Sequence, residues 1–309
     1  MTGDVLLSVE DLTKDYPWGL LWLKHKRVLH GVSFSVSQGE ITALLGHNGA
    51  GKSTTFKILM GFLRADGGRV LYRGEPLSRK ARSCIGFLPE NPAFYDYLTG
   101  RELLRFTAEL FSLKRFEGRI DHLLRLVKME EAANLPLKKY SKGMVQRIGV
   151  AQALVSNPEL LILDEPLDGL DPEGRQILRN LIVDLKEEGK TVLYSTHILQ
   201  DAERISDRAV ILVKGKTVKE GRIEDLLGGE TSEYEVSFKG LREAPPGAKG
   251  RWQLRGDTLY GILEKEEEVQ PLVQECLRRG GQVLSLVPLR RTLEEIFMEL
   301  KDESNGSRG

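Results

Sequence analysis

Nine consecutive residues, Gly46-His47-Asn48-Gly49-Ala50-Gly51-Lys52-Ser53-Thr54, carry the densest chemistry in the chain. The glycines let the backbone curl until successive N–H groups converge, and a lysine and a hydroxyl follow directly. That combination suits phosphate oxygens, and G-x-x-x-x-G-K-[ST] is the pattern of a phosphate-binding loop. The apolar run Ile41 to Leu45 precedes it and the helical run Thr55 to Leu59 follows. The loop is therefore expected between a strand and a helix, with the positive end of the helix dipole on the anion. Lys52 then reaches the β- and γ-phosphates of a nucleotide, and Ser53 takes one Mg²⁺ position. Gly46, His47, Asn48, Gly49, Ala50, Gly51 and Thr54 complete the cradle.

Leu160-Leu161-Ile162-Leu163-Asp164-Glu165-Pro166 is a buried-strand pattern ending in two carboxylates. Alone, such a pair would more often cap a helix. Downstream of a phosphate loop, Asp164 is placed to hold Mg²⁺ through water, and Glu165 to polarise a water for attack on the γ-phosphate. Between the two motifs, Tyr140-Ser141-Lys142-Gly143-Met144 opens a helical run through Ala153. Ser141 reads as an N-cap, and a serine and a glycine at a helix start also offer a hydroxyl and free N–H groups to an anion.

The elements that must position these groups follow an α/β pattern. Ile41 to Leu45, Leu160 to Leu163 and Thr191 to Ser195 are apolar runs alternating with helical segments, which argues for a largely parallel sheet covered on both faces. Val5 to Val9, Val32 to Val36 and Arg69 to Tyr72 alternate or end in turns, as an antiparallel edge sheet would. Glu102 to Ser112 and Arg119 to Val127 have helical period, so a helical insert is expected between Pro89 and Tyr140. Gly228-Gly229 ends a first domain spanning 5–228. A small C-terminal α+β domain over 232–302 follows, with a strand at Tyr234 to Phe238 and a hairpin around Gly256-Asp257. Within it, a helix from Glu266 to Arg279, a strand at Val283 to Val287 and a last helix from Leu293 to Leu300 complete the pattern. Residues 303–309 read as a disordered tail.

Composition excludes several function classes. The chain has 309 residues, with 45 Lys plus Arg against 45 Asp plus Glu, so no global basic field recruits nucleic acid. The two cysteines, Cys84 and Cys276, match no metal-ligand spacing and read as reduced thiols. The longest apolar runs are strand-length, well short of the ~20 residues a spanning helix needs. Work at a membrane would be done from its surface.

The order of these motifs, followed by Asp168-Gly169-Leu170-Asp171 and then His197 after a strand, resembles the nucleotide-binding domain of ABC transporters over roughly residues 5 to 228. The resemblance implies that ATP and Mg²⁺ are the cofactors, that Tyr16 stacks on adenine, and that Ser141 and Gly143 contact the γ-phosphate of ATP bound to a second subunit. It implies that Asp171 lies in the loop crossing between subunits and that His197 touches the γ-phosphate beside the catalytic Glu165. The partners implied are a second copy of the ATPase and separately encoded membrane permeases, at the cytoplasmic face of the plasma membrane. Nucleic acid is not among them. The signature stretch reads Tyr-Ser-Lys-Gly-Met where the family consensus is Leu-Ser-Gly-Gly-Gln, and this variant looks like the export branch. Glu90 stands where many relatives carry a metal-binding Gln, as a candidate metal ligand. Soluble ABC-type ATPases of translation or DNA repair usually show two nucleotide domains or a long coiled-coil insert, and neither pattern is present. A regulatory module that does not hydrolyse would be expected to lack Glu165 or His197.

Pro17 to Arg27 reads as a lengthened loop, with Trp18, Leu20, Leu21, Trp22 and Leu23 followed by Lys24-His25-Lys26-Arg27. Apolar residues beside a basic cluster suit contact with membrane or permease. A loop folded back on its own domain fits equally well.

Overall fold

The computed structural model describes residues 4–18, 24–228, 233–245, 250–289 and 291–306. By internal contacts it divides into two compact units, Met1–Ile223 with Leu300–Gly309, and Glu224–Glu299.

The first unit opens with a long hairpin of β1 (Val5–Trp18) and β2 (Lys24–Ser37), joined at once by β3 (Ile41–Leu45) and helix α1 (Lys52–Leu59). Next come β4 (Gly67–Tyr72), β5 (Glu75–Pro76), the single turn α2 (Arg79–Arg82) and β6 (Ile85–Leu88). The helical insert holds α3 (Gly100–Leu110) and α4 (Glu117–Leu126). After it run α5 (Lys142–Leu154), β7 (Leu160–Leu163), α6 (Pro172–Glu187), β8 (Thr191–Thr196), α7 (Leu199–Ile205), β9 (Arg208–Val213) and β10 (Lys216–Arg222); the turn α8 (Ile223–Leu226) spans the division at Ile223.

Two sheets result. One is six-stranded, in the order β10-β9-β3-β8-β7-β6. Its strands from β9 to β6 are parallel, and only β10 pairs antiparallel. β3, β7 and β8 are buried at every position, the expected state of parallel strands covered on both faces. The parallel register brings the carboxyl ends of β3, β7 and β8 to one edge, where ligands gather in open α/β sheets. The other sheet, β2-β1-β4-β5, is antiparallel. Leu7, Val9, Val32, Phe34 and Val36 from it share one core with Phe56 and Leu59 of α1 and with Leu44, Ile162 and Leu193 of the parallel sheet.

In the insert, α3 is started by a capping box: the Thr99 side chain takes the Glu102 amide, and Glu102 takes the Thr99 amide at 2.8 Å. Leu103, Leu104, Thr107 and Ala108 form its buried stripe. Gly86 of β6 is a close approach. A Cβ there would lie 2.3 Å from the Ala153 carbonyl oxygen of α5.

The segment expected as a lengthened loop is mostly paired strand. Asp15 faces Arg27, Tyr16 faces Lys26, Pro17 faces His25 and Trp18 faces Lys24. The Arg27 guanidinium holds Asp15 at 2.8 and 2.9 Å. Charges alternating across two strands hid this extension from an apolar count. Leu20, Leu21, Trp22 and Leu23 lie outside the described residues.

The second unit is built on the antiparallel sheet β12-β13-β11-β14. Its members are β11 (Glu233–Lys239), β12 (Arg251–Arg255), β13 (Thr258–Leu263) and β14 (Gln282–Leu289), with α9 (Val269–Arg278) before β14. Val236, Phe238, Leu259 and Leu263 pack with Val269, Leu272 and Cys276 of α9. The last helix, α10 (Leu293–Gly306), runs past Leu300 into the stretch expected to be disordered. Lys301 and Glu303 are good helix formers at that point, which a polar-tail reading discounts. Ser307, Arg308 and Gly309 lie outside the described residues.

Candidate functional site

The cavity of about 440 Å³ at the carboxyl edge of the parallel sheet is lined by the phosphate loop, Glu90, Glu165, Asp168 and His197, with Val28 from β2. The loop's shape is set by its glycines. Gly51, the N-cap of α1, has φ 108°, a left-handed conformation that side chains rarely adopt. A Cβ there would also stand 2.6 Å from Leu29 Cδ2. Thr55 N–H and its hydroxyl both donate to the Gly51 carbonyl, at 2.9 and 3.0 Å, which fixes the first turn of α1.

Lys52 is 5% exposed. Its Nζ donates to the Gly46 carbonyl at 2.5 Å and the His47 carbonyl at 3.3 Å, and forms an ion pair with Glu165 Oε1 at 2.9 Å. A buried ammonium needs such partners. His47 beside it binds a proton less readily than usual, chiefly through burial and also through the nearby charge of Lys52.

Asp164 and Glu165 follow β7 and are 4% and 7% exposed. Asp164 Oδ1 accepts the Ser53 hydroxyl at 3.2 Å and the Ser195 hydroxyl at 2.7 Å. Burial pushes its carboxyl above the usual aspartate range; the two hydroxyls pull it down, and the charges of Glu165 and Glu90 add to the rise. Glu165 has φ 48°, and its amide donates to Ser195 Oγ at 2.8 Å. Its Oε2 lies 3.0 Å from His197 Nδ1. His197 Nε2 in turn lies 3.9 Å from Asp168 Oδ1, and Asp168 Oδ2 lies 3.5 Å from Lys142 Nζ on α5.

So the fold brings together Lys52, Ser53, Asp164, Glu165 and His197, with Glu90 in the same cavity wall. Ser53 and Asp164 offer hard oxygen atoms with a net negative charge, the donor chemistry Mg²⁺ takes. Ser141, Gly143, Asp171 and Tyr16 do not line this cavity. Ser141 caps α5 through the Met144 amide at 3.3 Å and is exposed. Gly143 is half-buried on the first turn of α5. Asp171 caps α6 through the Gly174 amide at 3.0 Å and is also exposed. Tyr16 sits on β1 with Lys14 Nζ 6.0 Å from its ring centroid. Val28 and Ser195 were not singled out by motif. Ser195 was read only as the end of the Thr191-to-Ser195 strand.

A loop that converges N–H groups, a buried lysine, and an Asp-Glu pair within reach of a histidine make up a nucleoside triphosphate site. The ABC transporter family profile matches residues 29–168, which span the phosphate loop, the signature stretch and the Asp-Glu pair. An uncharacterized ABC transporter ATP-binding protein of Nostoc sp. (strain PCC 7120) is 40% identical over 307 residues, covering 95% of this chain and 89% of its own length. The chain belongs to the ABC transporter ATP-binding proteins. Another relative, named Nod factor export ATP-binding protein I, of Rhizobium etli, is 33% identical and covers 89% of both chains. A solved ATP-binding subunit of an ABC transporter superposes with TM-score 0.63 at 36% identity, covering 72% of this chain and 91% of that one. A dimeric ATP-binding cassette in a post-hydrolysis state bound to ADP and Pi matches with TM-score 0.62 at 26% identity, over 71% of this chain and 99% of that one. The P-loop α/β cassette is thus the fold of residues that carry the motifs. As an ABC ATP-binding subunit this chain binds ATP, and among the described residues no helix is long and apolar enough to cross a membrane.

Proposed function

We propose that the chain is the ATP-hydrolysing motor of an exporter, closing head-to-tail with a second copy and driving separate permease subunits at the cytoplasmic membrane face. The convergence of Lys52, Ser53, Glu165 and His197 on one cavity, with Asp164 behind Ser53, carries this reading. Ser53 and Asp164, with Glu90 as a third oxygen donor, would hold Mg²⁺, which would supply positive charge to the phosphates. Lys52 binds the β- and γ-phosphates. Once phosphate oxygens take up the ammonium, Glu165 is released from its contact with Lys52 to accept a proton from the attacking water. Water oxygen bonds to the γ-phosphorus as its bond to the β-bridging oxygen breaks, giving ADP and phosphate. His197, already on Glu165, positions the carboxylate and reaches the γ-phosphate. Tyr16 supplies a ring for the adenine.

The second-subunit reading is supported by the exposure of Ser141 and Asp171 away from the cavity, and by the dimeric relative. Export is supported by the name of the Rhizobium relative. A permease surface is supported by an exposed aromatic cluster in the insert. Tyr95 lies 5.8 Å from Tyr97 and 6.3 Å from Phe106, ring centre to ring centre, and all three are exposed. Apolar surface of this kind on a soluble face marks a binding site. The second unit carries no catalytic motif in its sequence, and its role in this reading is regulation or dimer support.

Phosphate release from MgATP tests the reaction. The wild-type chain should turn over; Glu165→Gln should bind ATP but lose ~10²–10⁴-fold in rate, the range for a lost general base. Near-wild-type release by Glu165→Gln would remove Glu165 as the base.

A further inference from the structure

Ser195 is a buried group in this site whose chemistry the reaction above leaves unused. It is 0% exposed and comes just before the end of β8, beside β7. Leu163 pairs with Tyr194 in parallel register, so the next residues on each chain, Asp164 and Ser195, come level. A serine hydroxyl has one proton to give and lone pairs to accept with. Both capacities are engaged here. The Glu165 amide donates to Ser195 Oγ at 2.8 Å, which turns the hydroxyl proton toward Asp164 Oδ1 at 2.7 Å. One small side chain therefore touches the carboxylate of the first acid and the main chain of the second.

We infer that Ser195 is a positioning residue for phosphoryl transfer: its hydroxyl sets the Asp164 carboxylate and the Glu165 main chain relative to each other. The inference rests on the ATPase reading. Its physical basis is the backbone of Glu165, held at φ 48°. A non-glycine residue persists in that region only when its surroundings over-determine it. Two bonds do so here, the amide to Ser195 and the Glu165 carbonyl accepting the Asp168 amide at 3.1 Å. Remove the first, and the backbone can relax toward negative φ, swinging the carboxylate away from Lys52 and His197. Asp164 at the same time keeps only the longer hydroxyl contact from Ser53, at 3.2 Å. Groups that orient the ligands of a metal commonly change affinity or activity ~10–100-fold when removed.

A serine that merely finishes a strand would alter stability alone, so the test separates the two. The full-length chain is compared with Ser195→Ala and with Ser195→Cys, which keeps a similar volume but donates weakly. Three readouts are taken: affinity for a fluorescent ATP analogue in EDTA, the gain in that affinity on adding Mg²⁺, and kcat for phosphate release. Both variants should hold the analogue in EDTA within ~3-fold of wild type, need more Mg²⁺ for half-saturation, and lose ~10–100-fold in kcat. If Ser195→Ala does not fold, Ser195→Cys gives the same three readings. Wild-type kcat and Mg²⁺ response in either variant would overturn the inference, as would a loss confined to nucleotide affinity. A wild-type chain that binds the analogue yet releases no phosphate would instead overturn the ATPase reading, and this inference with it.

Discussion

At the residue scale the site is an economy of buried charge. Lys52 is neutralised by Glu165 and by two loop carbonyls, so the ammonium is already desolvated and aimed before phosphate arrives. Lys52→Ala removes that charge and leaves the buried Glu165 with His197 as its ion-pair partner among the described residues. The expected outcome is loss of both tight ATP binding and hydrolysis, checked by equilibrium binding and phosphate release. Asp164 gives a prediction of opposite sign for stability. Its carboxyl binds a proton more tightly folded than unfolded, chiefly through burial. Stability from such a group is present below the ordinary aspartate value of 3.8 and is lost as pH rises through the raised one. Above that raised value the ionised Asp164 is thus a burden on the nucleotide-free fold. Asp164→Asn keeps an oxygen for the Ser53 and Ser195 hydroxyls and discards the charge. Its melting midpoint without nucleotide should exceed wild type by a few degrees, on the scale of ~2–4 °C per kcal/mol for a chain this size. The difference should vanish toward pH 3, while hydrolysis is lost; thermal melts across pH check it. Lys52, Ser53, Asp164 and Glu165 were legible because each stands in a short motif, whereas His197 was reached through the family resemblance; the structure places the five side chains near one another. Ser195 was not legible, because its role arises from the parallel register of β7 and β8 and from no motif of its own.

At the element scale, the strands that hold the site were legible from unbroken apolar runs, since β3, β7 and β8 are buried on both faces. The β1–β2 extension was not, because Asp15 with Arg27 and Tyr16 with Lys26 pair polar residues across an exposed ribbon. The end of α10 was missed for a related reason: helix propensity in Lys301 to Glu303 acts without an apolar stripe to announce it. Two elements outside the cavity separate folding from chemistry. Thr99→Ala deletes the α3 capping box and should lower stability by ~1 kcal/mol, with kcat unchanged, as chemical denaturation and phosphate release would show. Gly86→Val is expected to be far worse. Its Cβ would meet the Ala153 carbonyl, forcing β6 away from α5 and displacing Glu90 and the Ser141 helix start together. Loss of soluble folded protein, read by circular dichroism, is the expected outcome.

At the scale of the whole molecule, the groups divide into those that face their own cavity and those that face outward. Lys52, Ser53, Glu165 and His197 belong to the first set; Ser141 and Asp171 belong to the second. Tyr95, Tyr97 and Phe106 form a separate exposed cluster on the insert. Replacing Tyr95 and Phe106 together by Ser should weaken co-purification with the permease while basal ATP turnover of the isolated chain stays within ~2-fold, since neither ring touches the cavity. Assembly into a two-subunit site is the central claim, and Glu165→Gln tests it most directly. The amide keeps the carboxylate's shape, blocks the chemistry and removes a negative charge, so bound MgATP should persist between two copies. Light scattering on a size-exclusion column in saturating MgATP should find Glu165→Gln at twice the 34.7 kDa chain mass, and Ser141→Arg added to it should restore the monomer. A Glu165→Gln chain that binds MgATP and stays monomeric, or a dimer indifferent to Ser141→Arg, would contradict the composite site.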